Sequence, residues 1–547
     1  MTEKMTDGGS ESGDGPEQAS FVEYGIEDKP PLGESVLLGV QHYLTMIGAT
    51  IAVPLALAGA MGMFTAGPNG GPIPEIGRLI GTFFVVSGIA TLAQTTIGNR
   101  YPIVQGATFS LLIPGLAIIG VIAAQDPSGP LWETAILELQ GAVIVAAIFE
   151  VFIGYLGIMG RLKRFLSPVV IAPTIALIGL ALFNVPQVVN PTFQEFGQGS
   201  AQNWWLLGLT LLLIILFSQY LDKYHRSFRL FPVLLGVTTA WVLAAIGSIA
   251  EVGLIQPGTV GYVNFGQITG AEPVYAIVPL QWGMPQFTTS FIIGMFAGVL
   301  ASMIESFGDY HAVARLSGVS APSRKRINHG IGMEGLGNIF AGIMGTGNGS
   351  TSYSENIGAI GLTGVASRYV VQIGAVVMIV VGYIGYFGQT VATIPSPIVG
   401  GLFIAMFGQI AAVGLSNLEY VDLSSNRNVF IVGIALFAGL AIPRYMNQVG
   451  SPDTFRQGME GAAIIGPLIS LGGDPVVATV SNTIFVIGST GMAVGGLIAF
   501  VLDNTIEGTR EERGLDVWET IAEDEDEFQS IVDRIQNRGE DETVAGD

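Results

Sequence analysis

Hydrophobic positions in this chain run in long blocks and do not alternate with polar ones. Ser35–Ala60, Leu230–Ala250 and Val476–Leu502 are each long enough to cross a hydrocarbon core, which takes about 20 helical residues. Reading apolar blocks between polar or Gly/Pro breaks predicts an all-α polytopic membrane protein with about fourteen passages. They lie near 35–58, 77–97, 103–124, 135–159, 166–187, 203–221, 230–250, 289–317, 328–345, 353–366, 369–391, 397–417, 428–447 and 475–502. Positive charge follows the same topology, because cytoplasmic loops collect Lys and Arg. With the N-terminus inside, the predicted cytoplasmic loops hold Arg100, Arg161/Lys163/Arg164, Lys223/Arg226/Arg229, Arg315 with Arg324/Lys325/Arg326, Arg368 and Arg427. The predicted external loops hold Arg78, Arg444 and Arg456.

Fourteen passages divide into seven plus seven, and an odd number per half sets the second half upside down, the inverted repeat of secondary transporters. Short or interrupted segments at matching places then point to a midplane site. The third passage opens Arg100-Tyr101-Pro102-Ile103-Val104-Gln105-Gly106-Ala107-Thr108-Phe109 before a continuous apolar run from Ser110. The tenth follows Gly345-Thr346-Gly347-Asn348-Gly349 and runs from about Tyr353 to Thr363, too short to cross alone. Both read as an extended strand leading into a half-helix. Non-helical backbone at that depth must be buried in protein or line a cavity. The half-helix N-termini offer free N–H groups and partial positive charge to a ligand.

Composition agrees with lipid. Of 547 residues, 50% are hydrophobic and only 12% charged, against roughly 25% charged in soluble domains; the mean hydropathy is +0.57. Cysteine is absent and only His42, His225, His311 and His329 are present. No disulfide framework, thiolate metal site, zinc-hydrolase motif, nucleophile elbow or P-loop can be assembled. Active transport would therefore use an ion gradient, with no cofactor beyond H⁺ or Na⁺. The net charge of −21 crowds into Glu11–Glu27 and Glu507–Asp547, which read as solvated tails. Lysine is confined to Lys4, Lys29, Lys163, Lys223 and Lys325; an acidic, lysine-poor surface fits a high-salt, halophilic cytoplasm, and plain soluble tails fit equally. The long acidic N-terminus predicts no cleavable signal.

Intramembrane acids supply the candidate chemistry. Glu305 and Asp309 stand four residues apart on one helical face, and each charge at the bilayer centre costs about 2.5–3.5 kcal/mol on insertion scales. One acid can accept a ligand's N–H groups while the other binds a proton or Na⁺. Neutralisation by Arg315 is the structural alternative, but Arg315 lies at the helix end. In the tenth passage Glu355 and Asn356 open the half-helix; Ser354 or Asn356 alone would cap it, which leaves Glu355 for a ligand. His42 reads equally as a satisfied core residue or a functional one. His311 reads as an interface residue. Glu138, Glu150 and Glu334 are further buried acids, of which Glu334 sits between the two binding segments. Phe109 can stack on a flat ligand or simply pack.

These segments resemble the nucleobase–ascorbate transporter family, also called nucleobase:cation symporter family 2. Glu355-Asn356-Ile357-Gly358-Ala359-Ile360-Gly361-Leu362-Thr363 matches the family signature, and Ser367-Arg368 extend it. Glu305 to Tyr310, Gln41-His42 and Gln105-Gly106 resemble its eighth-, first- and third-span motifs. The resemblance implies that Glu305 and Glu355 bind a base with Phe109 near its ring and Thr108, Asn356 and Gly358 around it. Asp309 stands where some relatives carry a coupling histidine; His42 and Glu334, read from their own positions, join it as candidates for cation coupling. Gly364 stands where many relatives have a basic residue. A dimeric core-and-gate fold is implied, with core segments 33–165 and 289–395 and gate segments 166–288 and 396–503; the acidic tails 1–32 and 504–547, read from composition, lie outside the resemblance.

The expectation is a plasma-membrane symporter with both termini cytoplasmic. It would import a nucleobase by alternating access, uracil before xanthine or another purine, because an ionised Glu355 is acceptor-only and suits an N–H-rich face. It would be neither an enzyme nor a nucleic-acid binder. A sulfate-type anion transporter of the same fold, a two-carboxylate membrane hydrolase on Glu305 and Asp309, and a passive channel are the competing readings.

Overall fold

The computed structural model describes residues 22–67, 72–162, 165–189, 201–251, 255, 259, 261–462, 467, 474–515, 528–530 and 533–534. In chain order the first half forms α1 (Leu32–Ala60), α2 (Glu75–Thr96), strand β1 (Gln105–Gly106), α3 (Phe109–Ala124), α4 (Leu131–Tyr155), α5 (Ile158–Leu162), α6 (Pro168–Ala181), α7 (Pro186–Val189), α8 (Ala201–Ile215), α9 (Arg226–Leu230), α10 (Pro232–Ala250) and α11 (Phe265–Thr269). The second half forms α12 (Thr289–Leu316), α13 (Arg324–Met344), strand β2 (Thr351–Ser352), α14 (Ser354–Thr363), α15 (Arg368–Tyr383), α16 (Gly385–Ala392), α17 (Ser396–Ser416), α18 (Asn426–Val449), α19 (Pro452–Glu460), α20 (Asp474–Gly488) and α21 (Gly491–Thr505).

Helix ends follow local chemistry. Ser323 and Ser367 accept the Arg326 and Val370 N–H groups at the starts of α13 and α15, as N-cap hydroxyls do. Gly345 and Gly364 close α13 and α14 at φ 82° and 70°, a left-handed conformation that glycine adopts without a Cβ penalty.

The helices pack in two groups. In one, α4 lies on α13, α2 on α15 and α16, and α12 on α3 and α4; in the other, α6 lies on α17, α18 on α21, and α8 on α10 and α17. Small residues permit the closest approaches, as expected where apolar burial gives helices no net attraction in lipid. A Cβ on Gly154 of α4 would collide with the backbone of Gly332, and one on Gly414 of α17 with that of Ala176.

Each of the fourteen sequence passages overlaps a helix, the third only after the extended opening that holds β1. Among the described residues, seven helices are long and apolar enough to cross a membrane. The last passage is no straight span: Val476–Gly488 and Gly491–Thr505 meet at 92°, and a glycine stands on either side of the break. The eleventh is interrupted at Ile384, where α15 gives way to α16.

The tail expectation needs correction in part. Most of both tails lies outside the described residues, but 22–31 is docked on the protein. Glu23 and Tyr24 N–H groups donate to Gly364 O, and Ala366 and Arg368 N–H groups donate back to Tyr24 O and Ile26 O. Glu27 pairs with Arg368 and Arg100 at 2.7 and 2.9 Å. At the other end Phe528 is buried with the Arg326 guanidinium over its ring, and Asp533 pairs with Lys325 at 2.6 Å. Acidic composition reads as solvation, yet these acids meet the arginines and lysine of the predicted cytoplasmic loops.

Candidate functional site

Two short strands cross at the centre. β1 and β2 pair antiparallel with Gln105 opposite Ser352 and Gly106 opposite Thr351, so α3 and α14 start from opposite sides of one junction. Only glycine fits at 106, since a Cβ there would lie 2.5 Å from the Tyr353 ring. Two asparagines hold the crossing. Asn348 Oδ1 accepts the Thr108 N–H at 2.9 Å while its Nδ2 donates to Thr108 O at 3.1 Å. Asn356 Oδ1 accepts the Val104 N–H at 2.9 Å, and its Nδ2 lies 3.1 Å from His42 Nδ1. The amide therefore donates to Nδ1, and the imidazole proton belongs on Nε2.

Beside the crossing lies a cavity of about 320 Å³ whose wall includes Thr108, Phe109, Glu305, Thr351, Tyr353 and Gly358. Glu305 accepts a 2.8 Å bond from Ser110 Oγ in the first turn of α3. Phe109 meets Phe407 of α17 edge to face, centroids 5.6 Å apart, an arrangement worth about 0.5–1.5 kcal/mol beyond burial. From the second helix group, Arg229, Met406 and Gln409 complete the wall. A separate cavity of about 440 Å³, lined in part by Phe183, Arg444 and Asn447, also lies between the groups.

Asp309 and Glu334 lie behind the wall. Ser352 Oγ donates to Asp309 Oδ2 at 2.7 Å. Glu334 accepts from Ser302, Ser306, Thr351 and Tyr310 at 3.0, 2.6, 2.7 and 3.3 Å. Ser306 Oγ stands 2.8 Å from Ser352 Oγ; each hydroxyl has one proton, so this contact completes a run of hydrogen bonds between the two acids only when one of the acids is protonated and donates to its serine. Burying charge requires such donors. Among the described residues no group of three His, Asp or Glu could hold a metal ion.

The structure thus brings Glu305, Thr108, Phe109 and Gly358 together on one cavity, with Asp309 and Glu334 joined behind it. Asn356 and His42 are off that wall and bond each other. Glu355 is the second residue of α14; its side chain lies outside the described residues. Arg315 donates to Tyr420 OH at 2.8 Å, and His311 Nδ1 lies 2.8 Å from Phe307 O. Ser110, Asn348 and the hydroxyls of Ser302, Ser306, Thr351 and Ser352 are site components that the sequence reading missed. Asn348 alone had a signal, an amide in the glycine-rich loop before β2.

Relatives extend the picture. The chain is 39% identical over 535 residues to solute carrier family 23 member 1 of Rattus norvegicus, covering 91% of this chain and 83% of that protein. It is 34% identical over 517 residues to nucleobase-ascorbate transporter 1 of Arabidopsis thaliana, covering 92% of this chain and 93% of that one. Two solved structures share the fold. The transmembrane domain of the cyanobacterial bicarbonate transporter BicA matches with TM-score 0.50 at 17% identity, over 77% of this chain and 98% of that one. SLC26A9 matches with TM-score 0.51 at 12% identity, over 75% and 63%. The profile of the Permease family spans residues 33–448. With a profile of that extent and relatives aligned nearly end to end, the chain is a multi-pass membrane transporter, not an enzyme, and it belongs to the permease family that contains the nucleobase–ascorbate transporters.

Proposed function

We propose that this transporter is a cation-coupled nucleobase importer, with uracil preferred and xanthine or another purine next. The observation that carries the reading is Glu305 on the wall of the central cavity, which Met406 and Gln409 of the second helix group also line. A carboxylate there accepts N–H donors from a flat ring, Phe109 offers an aromatic edge, and α14 presents its N-terminus with Glu355 in the first turn. Coupling falls to Asp309 and Glu334, whose connecting hydroxyls can relay a proton or share in holding Na⁺. His42 holds Asn356, which accepts the Val104 N–H at the crossing.

Alternating access moves the first helix group, the core, against the second, the gate. The central cavity reaches exposed Arg229 and half-buried Phe231, in a stretch the charge pattern assigns to the cytoplasm. The separate cavity reaches Arg444, in a stretch it assigns to the exterior. This arrangement suits a state open inward, in a homodimer of the plasma membrane with both termini inside.

A second reading, ascorbate, draws on Arg229. An exposed guanidinium on the cavity wall suits an organic anion, and the plant relative's name includes ascorbate. Uptake of labelled uracil, xanthine and ascorbate into proteoliposomes, with H⁺ and Na⁺ gradients imposed separately, separates these. The reading expects uracil uptake that requires one of the gradients. Gradient-independent flux, or uptake of ascorbate alone, would reject it.

A further inference from the structure

Glu150 takes no part in the solute cavity or in the hydroxyl cluster around Glu334. It lies near the end of α4 and has no exposed surface. Its Oε2 accepts a 2.6 Å bond from Asn338 Nδ2 on α13, and its Oε1 has no hydrogen-bond partner. Asn338 cannot turn to offer its oxygen, because Oδ1 accepts the Ser350 backbone N–H. A donor therefore always faces Glu150. Ser350 Oγ, 1% exposed, is likewise without a partner. The Glu150 side chain packs on α13 at Gly335, the residue after Glu334: a Cβ added at Gly335 would lie 3.1 Å from Glu150 Cγ.

These contacts decide the protonation of the pair. A carboxylate stripped of water needs several donors or a cation to remain charged. Glu334 has four hydroxyl donors; Glu150 has one amide and, among the described residues, no Lys, Arg or His paired to it. On the elements packed against α4, the titratable groups at this level are Glu334 of α13 with Tyr310 and Asp309 of α12. α3 has none, and Arg161 of α5 is exposed. Two neighbouring carboxylates do not both ionise readily. A hard metal cation is the wrong occupant, since it needs six or so oxygens and the amide presents N–H.

We propose that Glu150 is a proton-binding site distinct from the solute and coupling groups. It carries its proton on Oε1, and this neutrality leaves the adjacent Glu334 free to hold negative charge. The site stands whichever solute is carried.

Infrared spectroscopy of the purified full-length protein at neutral pH tests this. The carboxylic-acid C=O band of wild type should lose one component in Glu150→Gln and keep it in Glu334→Gln. The pH profile of labelled-uracil binding in Glu150→Gln should be displaced from wild type, a change that a purely structural acid would not produce. Should Glu150→Gln fail to fold, Asn338→Ala removes the donor to Oε2 and should move the same band to higher frequency. An acid band unchanged in the variant that folds, or superimposable pH profiles, would overturn the proposal.

Discussion

Ser110 Oγ donates to Glu305 Oε2 across 2.8 Å, tying the first turn of a helix that starts mid-protein to the centre of a helix running through it. The bond aims the carboxylate into the cavity. Ser110→Ala removes a hydrogen bond to a charged group, worth about 1.5–3 kcal/mol. Solute affinity should fall at least about tenfold, since about 1.4 kcal/mol is a factor of ten. Equilibrium binding of labelled nucleobase to the purified variant checks this, and an unchanged dissociation constant would refute the aiming role.

Asn348 serves the crossing and not the solute. Asn348→Ala leaves the Thr108 N–H without its partner, while Thr108 O keeps the Leu112 N–H at 3.2 Å, at about 1–3 kcal/mol for one buried group left unsatisfied. The expected result is a lowered melting temperature, read by differential scanning fluorimetry, in the absence of any solute.

Asp503, wholly buried, accepts from Arg427 at 2.9 Å, Arg513 at 2.7 Å and Ser167 at 2.8 Å. Asp503→Ala leaves two guanidinium groups with neutral oxygens such as those of Asn428, Ile506 and Asn504, and breaking a buried pair costs about 3–5 kcal/mol. Restoring neutrality with Arg427→Met and Arg513→Met in the same chain should recover part of the loss, measured as thermal stability in detergent.

Docking of the 22–31 segment should depend on pH. Burial raises the Glu27 carboxyl, but hydrogen bonds from Arg368 and the charges of Arg100 and Arg368 outweigh it and hold Glu27 below the ordinary carboxylate range. A carboxyl lowered in the folded state adds stability above its unfolded value and loses it as pH falls through the folded value. Hydrogen exchange at Glu23 and Tyr24, corrected for intrinsic rate, should quicken between about pH 5 and about pH 3, below the unperturbed Glu value. Glu27→Gln should exchange faster throughout that interval with a flatter profile. Asp533, drawn down to about 2 by its hydrogen bond from Lys325, should keep the C-terminal contact to lower pH.

What was legible in the sequence follows from what a residue must do alone. A charge inside an apolar run, such as Glu305 or Glu334, announces itself because lipid tolerates it only in a site. The broken starts of α3 and α14 were legible because proline and glycine interrupt apolar blocks. Partnerships were not. Nothing near Asn348 in the chain names Thr108, 240 residues away, and serines on α12 look like ordinary helix residues until Glu334 is set beside them. The 92° turn between α20 and α21 was hidden because both arms are apolar. Docked tails were missed because acid composition describes solubility, whereas the Glu27 contact depends on where Arg100 and Arg368 come together.

The most direct measurement is equilibrium binding of labelled uracil to purified wild type, Glu305→Gln and Glu138→Gln. Glu138 is a buried acid, bonded to Thr288, and does not line the cavity. The account predicts saturable binding by wild type and Glu138→Gln, with Glu305→Gln folded but weakened at least about tenfold, the scale of one lost charged hydrogen bond. Equal affinity in wild type and Glu305→Gln would contradict it.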